Sequence, residues 1–260
     1  MSLENSVTAA LTAVNNSITT LNGVGASFQA GAANLTTHYQ ALLASANTSA
    51  VVSQADGSDG NGNGSALAPY KSIQRALDVT PPGGVCSVVL RGDYTVLNAD
   101  IVVDNRLLIL NSEGVTKRLL AVQKSSVAIA GGTLRKIFSF RLRSRGGIVF
   151  ASVRIGVPVV EGAEAGHLTH DNAAIIKTDD TQGIGCHDIG FINADVVIPS
   201  DPFGALIGSI TPVPVTLNWQ NVAMLGQRVS PLGAIFTGQT NVAGTATSSL
   251  SWLSTNLTNV

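Results

Sequence analysis

The sequence predicts a mainly β protein led by one long helical stalk, and three observations carry that prediction. Apolar and small residues recur in alternating steps of four and three from Val7 to Ala46. Beyond residue 85 the period falls to two, in short runs rich in Val and Ile that are separated by Gly, Asn and Asp. The 260 residues include 27 glycines but only 12% are charged. That composition suits many tight turns and a surface hidden against other chains.

In heptad terms the d positions are Val7, Val14, Leu21, Phe28, Leu35 and Leu42, all large. The a positions are Leu11, Ile18, Gly25, Ala32, Tyr39 and Ala46. A repeat averaging 3.5 residues keeps a narrow seam facing a partner helix. Val7, Leu11, Val14, Ile18, Leu21, Phe28, Leu35 and Leu42 are therefore the expected oligomerisation residues of a coiled-coil stalk over residues 1–50. The competing arrangement is a single amphipathic helix folded onto its own domain. Gly23, Gly25 and Gly31 each cost about 1 kcal/mol relative to Ala, which also suits two shorter helices broken near residues 23–31. Glu4 is the only Asp, Glu, Lys or Arg before Asp56. Flanks so poor in partner-selecting charge fit a stalk seated inside a larger assembly.

Residues 51–68 read as a polar, turn-rich linker. Its stretch from Asp56 to Gly64 superficially resembles a calcium loop, but the twelfth position is Leu67 and no bidentate Glu follows. A flexible loop without metal is expected. Ile73, Ala76 and Leu77 then share one face of a short helix, with Ser72 placed to cap it and Pro81-Pro82-Gly83-Gly84 to stop it. Strands follow around Val88–Leu90 and Tyr94–Val96, then over 100–103, 107–110, 119–122, 127–130, 137–142, 148–155, 173–177, 189–192, 196–198, 205–210 and 213–217. Together with the short helix they make a β domain over residues 69–240. Residues 241–260, rich in Thr, Ser and Asn, form a capping or intertwined tail.

The net charge is −1, but nine basic residues and no acidic one lie between Gly114 and Val160, and an acidic stretch runs from Glu161 to Asp201. The longest apolar run is interrupted by Arg154 and is too short to span a bilayer, so no membrane insertion is expected. Residues 1–4 lack a basic region before an apolar core, so no secretory leader is expected. Cys86 and Cys186 both sit beside apolar residues and read as buried free thiols, with a disulfide between them as the alternative. No cofactor is implied.

The Asp-Gly…Gly-x-Gly loop, Pro69-Tyr70-Lys71-Ser72-Ile73-Gln74-Arg75-Ala76-Leu77-Asp78, Pro82-Gly83-Gly84 and Arg91-Gly92-Asp93-Tyr94-Thr95-Val96 together resemble the entry cap of right-handed parallel β-helix proteins. That family includes pectate-lyase-like enzymes and bacteriophage tailspikes and fibres. The match covers residues 56–96, and the remainder follows by pattern. A stalk before such a cap resembles phage tailspikes and virion fibres more than secreted lyases. The resemblance implies a homotrimer with a short right-handed parallel β-helix, against a β-sandwich as the alternative architecture. It implies a virion protein assembled in host cytoplasm and acting at the cell surface, in host attachment or particle architecture. Its partners would be copies of itself, other virion proteins such as a tail adaptor or capsid, and host-surface polysaccharide. The rivals are a capsule or lipopolysaccharide depolymerase, acting as lyase or hydrolase, and a capsid decoration or head fibre protein.

Polysaccharide-cleaving β-helices work with paired carboxylates. Asp179 and Asp180, followed by His187 and Asp188, are the candidates and are partly similar to a galacturonase arrangement. Cys186 and Asp188 stand where that arrangement has glycines flanking the His, and no Arg-x-Lys follows, so turn carboxylates without catalysis are expected. His167 and His170 have a metal-compatible spacing but lie in a Gly-rich loop with no third ligand in place, so no metal is expected. Arg141, Arg143 and Arg145 alternate and would share one strand face. Such a face grips phosphate or carboxylate, or meets the acidic stretch of a neighbouring chain. Nucleic acid is not expected, because Phe138 and Phe140 are the only aromatic stacking partners nearby.

Overall fold

The computed structural model describes residues 3–129, 132–158, 174–179, 186–198, 205–209, 214–226, 236–237 and 253–255. The chain divides into two compact units, Met1–Ser45 and Ala46–Val260. The first is helix α1, Leu3–Ala46, which runs unbroken for 44 residues. A break near residues 23–31 does not form. Each glycine costs about 1 kcal/mol, whereas a break would need a second helix nucleus and would forfeit the hydrogen bonds of a turn. The hydroxyls of Thr12, Ser17, Thr19, Thr20 and Ser27 donate to carbonyls four residues back, at 2.9–3.0 Å. A surface almost without charge thus satisfies much of its polarity along the helix itself.

The second unit is mainly β, built from parallel sheets. Asn47–Val52 form β1, so a strand begins where composition suggested the join of stalk and linker. Helix α2, Ile73–Val79, follows, with Ser72 as N-cap accepting from the Arg75 N–H. The strands continue as β2 (Val85–Leu90), β3 (Tyr94–Val96), β4 (Ile101–Asp104), β5 (Leu107–Ser112) and β6 (Leu119–Val122). After β7 (Lys124–Ile129) and β8 (Gly132–Ile137) come β9 (Phe140–Arg143), β10 (Gly147–Ala151), β11 (Arg154–Gly156) and β12 (Ala174–Thr178). The last are β13 (His187–Ile192), β14 (Asp195–Ile198), β15 (Ala205–Ser209), β16 (Val215–Gln220), β17 (Ala223–Gly226), β18 (Phe236–Thr237) and β19 (Leu253–Thr255).

Three parallel sheets take these strands in strict rotation. Sheet A has the order β1-β2-β5-β10-β13-β16-β19, sheet B the order β3-β6-β11-β14-β17, and sheet C the order β4-β9-β12-β15-β18. From β2 onward the path runs A, B, C and back to A five times, apart from the antiparallel excursion β7–β8. Successive sheet A strands begin at 85, 107, 147, 187, 215 and 253, so only the first circuit has the length expected of a regular repeat.

The corners explain the irregularity. Two residues separate β10 from β11, β13 from β14 and β16 from β17, and each pair opens with a left-handed residue: Ser152 (φ 55), Asn193 (φ 51) and Asn221 (φ 51). Asn tolerates that conformation better than most side chains, and Asn221 Nδ2 donates to Asn193 Oδ1 one circuit away. The corner from sheet B to sheet C varies instead. Residues 97–100 separate β3 from β4, but 123–139 separate β6 from β9 and 157–173 separate β11 from β12. Two expected strands are therefore each split by a corner. Residues 137–142 divide at Phe138-Ser139, and 148–155 divide at Ser152-Val153.

Inward side chains stack in register. Phe150, Phe191 and Trp219 are cross-strand partners, with ring centroids 5.2 and 4.9 Å apart, and Phe140 meets Phe150 edge-on at 5.7 Å. At the start of the sheets, α2 buries Ile73, Ala76 and Leu77. The free edge of β1 is closed by Val51 N–H donating to Gly64 O and Tyr70 N–H donating to Val51 O. Residues 53–70 are thus pinned by backbone bonds rather than slack. A Cβ at Gly57 would lie 2.2 Å from Tyr70 O, which explains the glycine. The carboxylate of Asp59 accepts from the N–H groups of Lys71 and Ser72, both at 2.9 Å, so it is spent on the turn into α2.

Candidate functional site

Three surfaces hold the residues singled out from the sequence. The first is the α1 seam. Val7, Leu11, Val14, Ile18, Leu21, Phe28 and Leu35 are all more than half exposed in the single chain, from 51% at Ile18 to 80% at Phe28. Leu42 lies on the same helix, with its side chain outside those described. A row of exposed large apolar groups is a binding surface by default.

The second surface is an ion cluster on the outer side of sheet C. Backbone register places Arg141 opposite Val102 and Lys177, so residues from three circuits meet there. Arg141 donates Nη1 to Asp179 Oδ2 at 2.7 Å and Nη2 to Asp100 Oδ2 at 3.1 Å. Arg143 Nη2 reaches the same Asp179 oxygen at 3.2 Å. Asp100 Oδ1 accepts from Ser139 N–H and Oγ–H, and lies 3.7 Å from Lys177 Nζ, which donates to Ile137 O at 3.0 Å. Burial disfavours the Asp179 carboxylate, but hydrogen bonds and charge from Arg141 and Arg143 outweigh it and hold its pKa below the ordinary value. A carboxylate kept ionised by two guanidiniums is a structural anchor and a poor proton donor.

The three alternating arginines do not share one face. β9 ends at Arg143, and Ser144 and Arg145 turn into left-handed conformations (φ 46 and 67), so Arg145 belongs to the corner. Arg141 and Arg143 are met by Asp100 and Asp179 of their own chain, where the sequence suggested a ligand or a neighbouring chain.

The carboxylate and imidazole candidates do not converge. Asp179 faces outward beyond β12, and Asp180 lies outside the described residues, as do His167 and His170. His187 and Asp188 occupy opposite faces of β13. His187 is fully buried among inward residues, with Nδ1 2.8 Å from Gly146 O, and Asp188 is exposed. The buried His187 Nε2 has no hydrogen-bond partner among the described residues. Phe191, the aromatic nearest to these residues in sequence, is also wholly buried, so it offers no sugar platform. Cys86 is buried and burial raises its pKa, against the opposing effects of Thr80 and Arg106. Cys186 is exposed, in contrast to its expected burial, because it precedes β13 on the outward parity of Asp188.

The third surface, missed in the sequence, is the outer face of sheet A. Register aligns Asn47, Val85, Leu107 and Gly147 in one row, Ser49, Ser87, Ile109, Val149, Gly190 and Asn218 in a second, and Val51, Val89, Asn111, Ala151, Ile192 and Gln220 in a third. The first row continues with the exposed Asp188 and with Thr216, so Asp188 is the one charged residue in the three rows, and the pair Arg91–Glu113 follows directly on β2 and β5. The alternation was legible strand by strand, but only stacking shows that the apolar outward positions coincide. On the other sheets the outward positions include Arg154 and Asp195, and Arg141, Arg143 and Lys177.

The chain matches no protein-family model, no curated protein and no solved structure. No described helix is long and apolar enough to cross a membrane.

Proposed function

We propose that this chain is a virion structural protein similar to a phage tail fibre or tailspike. It forms a homotrimer through a parallel α1 coiled coil, docks to the particle by that helix, and presents a right-handed parallel β-helix for host attachment or particle architecture. The observation that carries the reading is the pairing of two features in one chain. An almost uncharged helix exposes large apolar groups at heptad spacing from Val7 to Leu35, and a β unit begins at the residue after the helix and returns through three parallel sheets in rotation. Parallel β crossovers are right-handed in about 98% of cases, and the left-handed Ser and Asn residues stacked at one corner suit such a coil. Docking partners are other virion proteins such as a tail adaptor or capsid, and the outward-facing partner is host-surface polysaccharide.

The test is the native mass of the full chain by light scattering, compared with the double variant Ile18→Asp, Leu21→Asp. The expected result is three times the 26.6 kDa chain mass for the full chain, falling to a single chain in the variant. Two charges placed in an apolar seam meet their own copies, which costs several kcal/mol per charge. A full chain that is monomeric at micromolar concentration refutes the reading.

A further inference from the structure

We infer that Arg145, at the corner between β9 and β10, is a binding residue that grips a carboxylate of an acidic polysaccharide. The site stands on its own geometry, and the placing of that polymer at a host surface rests on the attachment proposed above. The corner is held in a strained conformation. Gly146 N–H donates to Arg143 O at 2.7 Å, and the two residues between them, Ser144 and Arg145, both have positive φ (46 and 67). That is the pattern of a type I′ turn, for which Asn-Gly is the favoured pair. Seven non-glycine residues are left-handed among the described ones; four are Asn, two are Ser, and Arg145 alone is long and charged. Glycine at 146 gives no relief, because it is required where it stands: a Cβ there would collide with Val103 O. Backbone strain of this kind gathers at positions that contact ligands.

No structural role accounts for the arginine. Arg141 and Arg143 commit their guanidiniums to Asp100 and Asp179. Arg106, at the same corner one circuit earlier, donates to Thr80 O and Asp104 O. Arg145 is exposed, and among the described residues its guanidinium has neither a hydrogen bond nor an ion pair. Two exposed carboxylates flank the corner. Asp104 ends β4 on sheet C, in register with Arg143, and Asp188 lies on sheet A beside Gly147. Neither pairs with Arg145.

One unpaired guanidinium between two carboxylates selects its ligand. The guanidinium fork matches a carboxylate and takes it with two parallel hydrogen bonds. The carboxylates of Asp104 and Asp188 accept hydrogen bonds from hydroxyl groups. A sugar polymer with one carboxylate on each ring, set among several hydroxyls, meets both requirements. A densely charged polymer without hydroxyls, such as polyphosphate, brings negative charge against Asp104 and Asp188 and is disfavoured.

The experiment compares the full chain as wild type, Arg145→Gly, Arg145→Asn and Lys71→Ser, the last removing one exposed charge just before α2. Binding of polygalacturonate, neutral dextran and polyphosphate is measured by titration calorimetry at pH 7, and thermal unfolding by circular dichroism. Polygalacturonate is expected to bind, and both Arg145 variants to bind it about 10-fold more weakly, as loss of one charge-assisted contact requires. Lys71→Ser is expected to stay within about 2-fold of wild type, since a distant charge acts only through the general field, and dextran to show no binding. Both Arg145 variants are expected to unfold at or above the wild-type temperature, because Gly and Asn take the left-handed conformation more readily. A lowered Tm in both variants gives Arg145 a structural role and overturns the inference. Affinity unchanged by either Arg145 substitution, or reduced as much by Lys71→Ser, overturns it too. Polyphosphate bound as tightly through Arg145 overturns the assignment to an acidic sugar. A multimer that binds no polygalacturonate overturns this inference and leaves the proposed virion role standing. A monomer that binds polygalacturonate through Arg145 refutes that role and leaves the site standing.

Discussion

Replacing Asp179 with Asn tests whether the sheet C ion cluster fastens successive circuits. The substitution keeps the shape and removes the charge that holds Arg141 at 2.7 Å and Arg143 at 3.2 Å. Breaking a fully buried pair costs about 3–5 kcal/mol, and an exposed one about 0–1 kcal/mol. The Asp179 side chain is 8% exposed, which argues for the upper range, but Arg143 is 46% exposed and Arg141 keeps Asp100 at 3.1 Å. The expected loss is therefore about 2 kcal/mol at pH 7, between the two limits. For a unit of this size that corresponds to a fall in Tm of about 4–8 °C. The pH dependence has a definite sign. Because the pKa of Asp179 is held below its ordinary value in the fold, its contribution is complete above about pH 4 and is lost as pH falls through the folded value. Thermal unfolding followed by circular dichroism at pH 7 and pH 3 should show a gap between wild type and Asp179→Asn that narrows in acid. Equal Tm values at pH 7, or a gap that does not change with pH, would refute the reasoning.

Two further outcomes are expected. In the native protein a thiol reagent should modify Cys186 and leave Cys86 untouched, with both reacting after denaturation, since one is exposed and the other is buried with a raised pKa; mass spectrometry of the native reaction counts the adducts. Asn193→Ala should destabilise by about 2 kcal/mol, from left-handed strain of about 1–2 kcal/mol and a lost side-chain bond of about 0.5–1.5 kcal/mol. Asn193→Gly should cost less, because only the bond is lost; chemical denaturation of the two variants separates the contributions.

The local elements were legible because their causes are local. Ser72 caps α2 and Ile73, Ala76 and Leu77 face inward, as their spacing required. Continuous apolar runs hid the corners. Ile137 to Leu142 reads as one strand, and nothing in Phe138-Ser139 announces a change of sheet. The hairpin β7–β8 is hidden in the sequence because β8 interleaves Thr, Arg and Lys with few apolar residues. The partners of Arg141 lie 41 and 38 residues away in sequence, at a separation set by excursions of unequal length. Parity did carry the position of His187, two residues before Ile189 and four before Phe191. A histidine beside an aspartate looks like a pair in sequence, although adjacent strand residues point apart.

The unequal corners divide labour within the β unit. The A-to-B corner of the later circuits is held to two residues, because the stacked left-handed positions leave no slack. The B-to-C corner accepts anything from four residues to a whole hairpin without disturbing the strands on either side. Sequence drift, recombination or a grafted peptide at that corner can therefore change what the molecule touches while its framework keeps register. For a protein facing a changing counterpart, this is where novelty can be admitted at least structural risk.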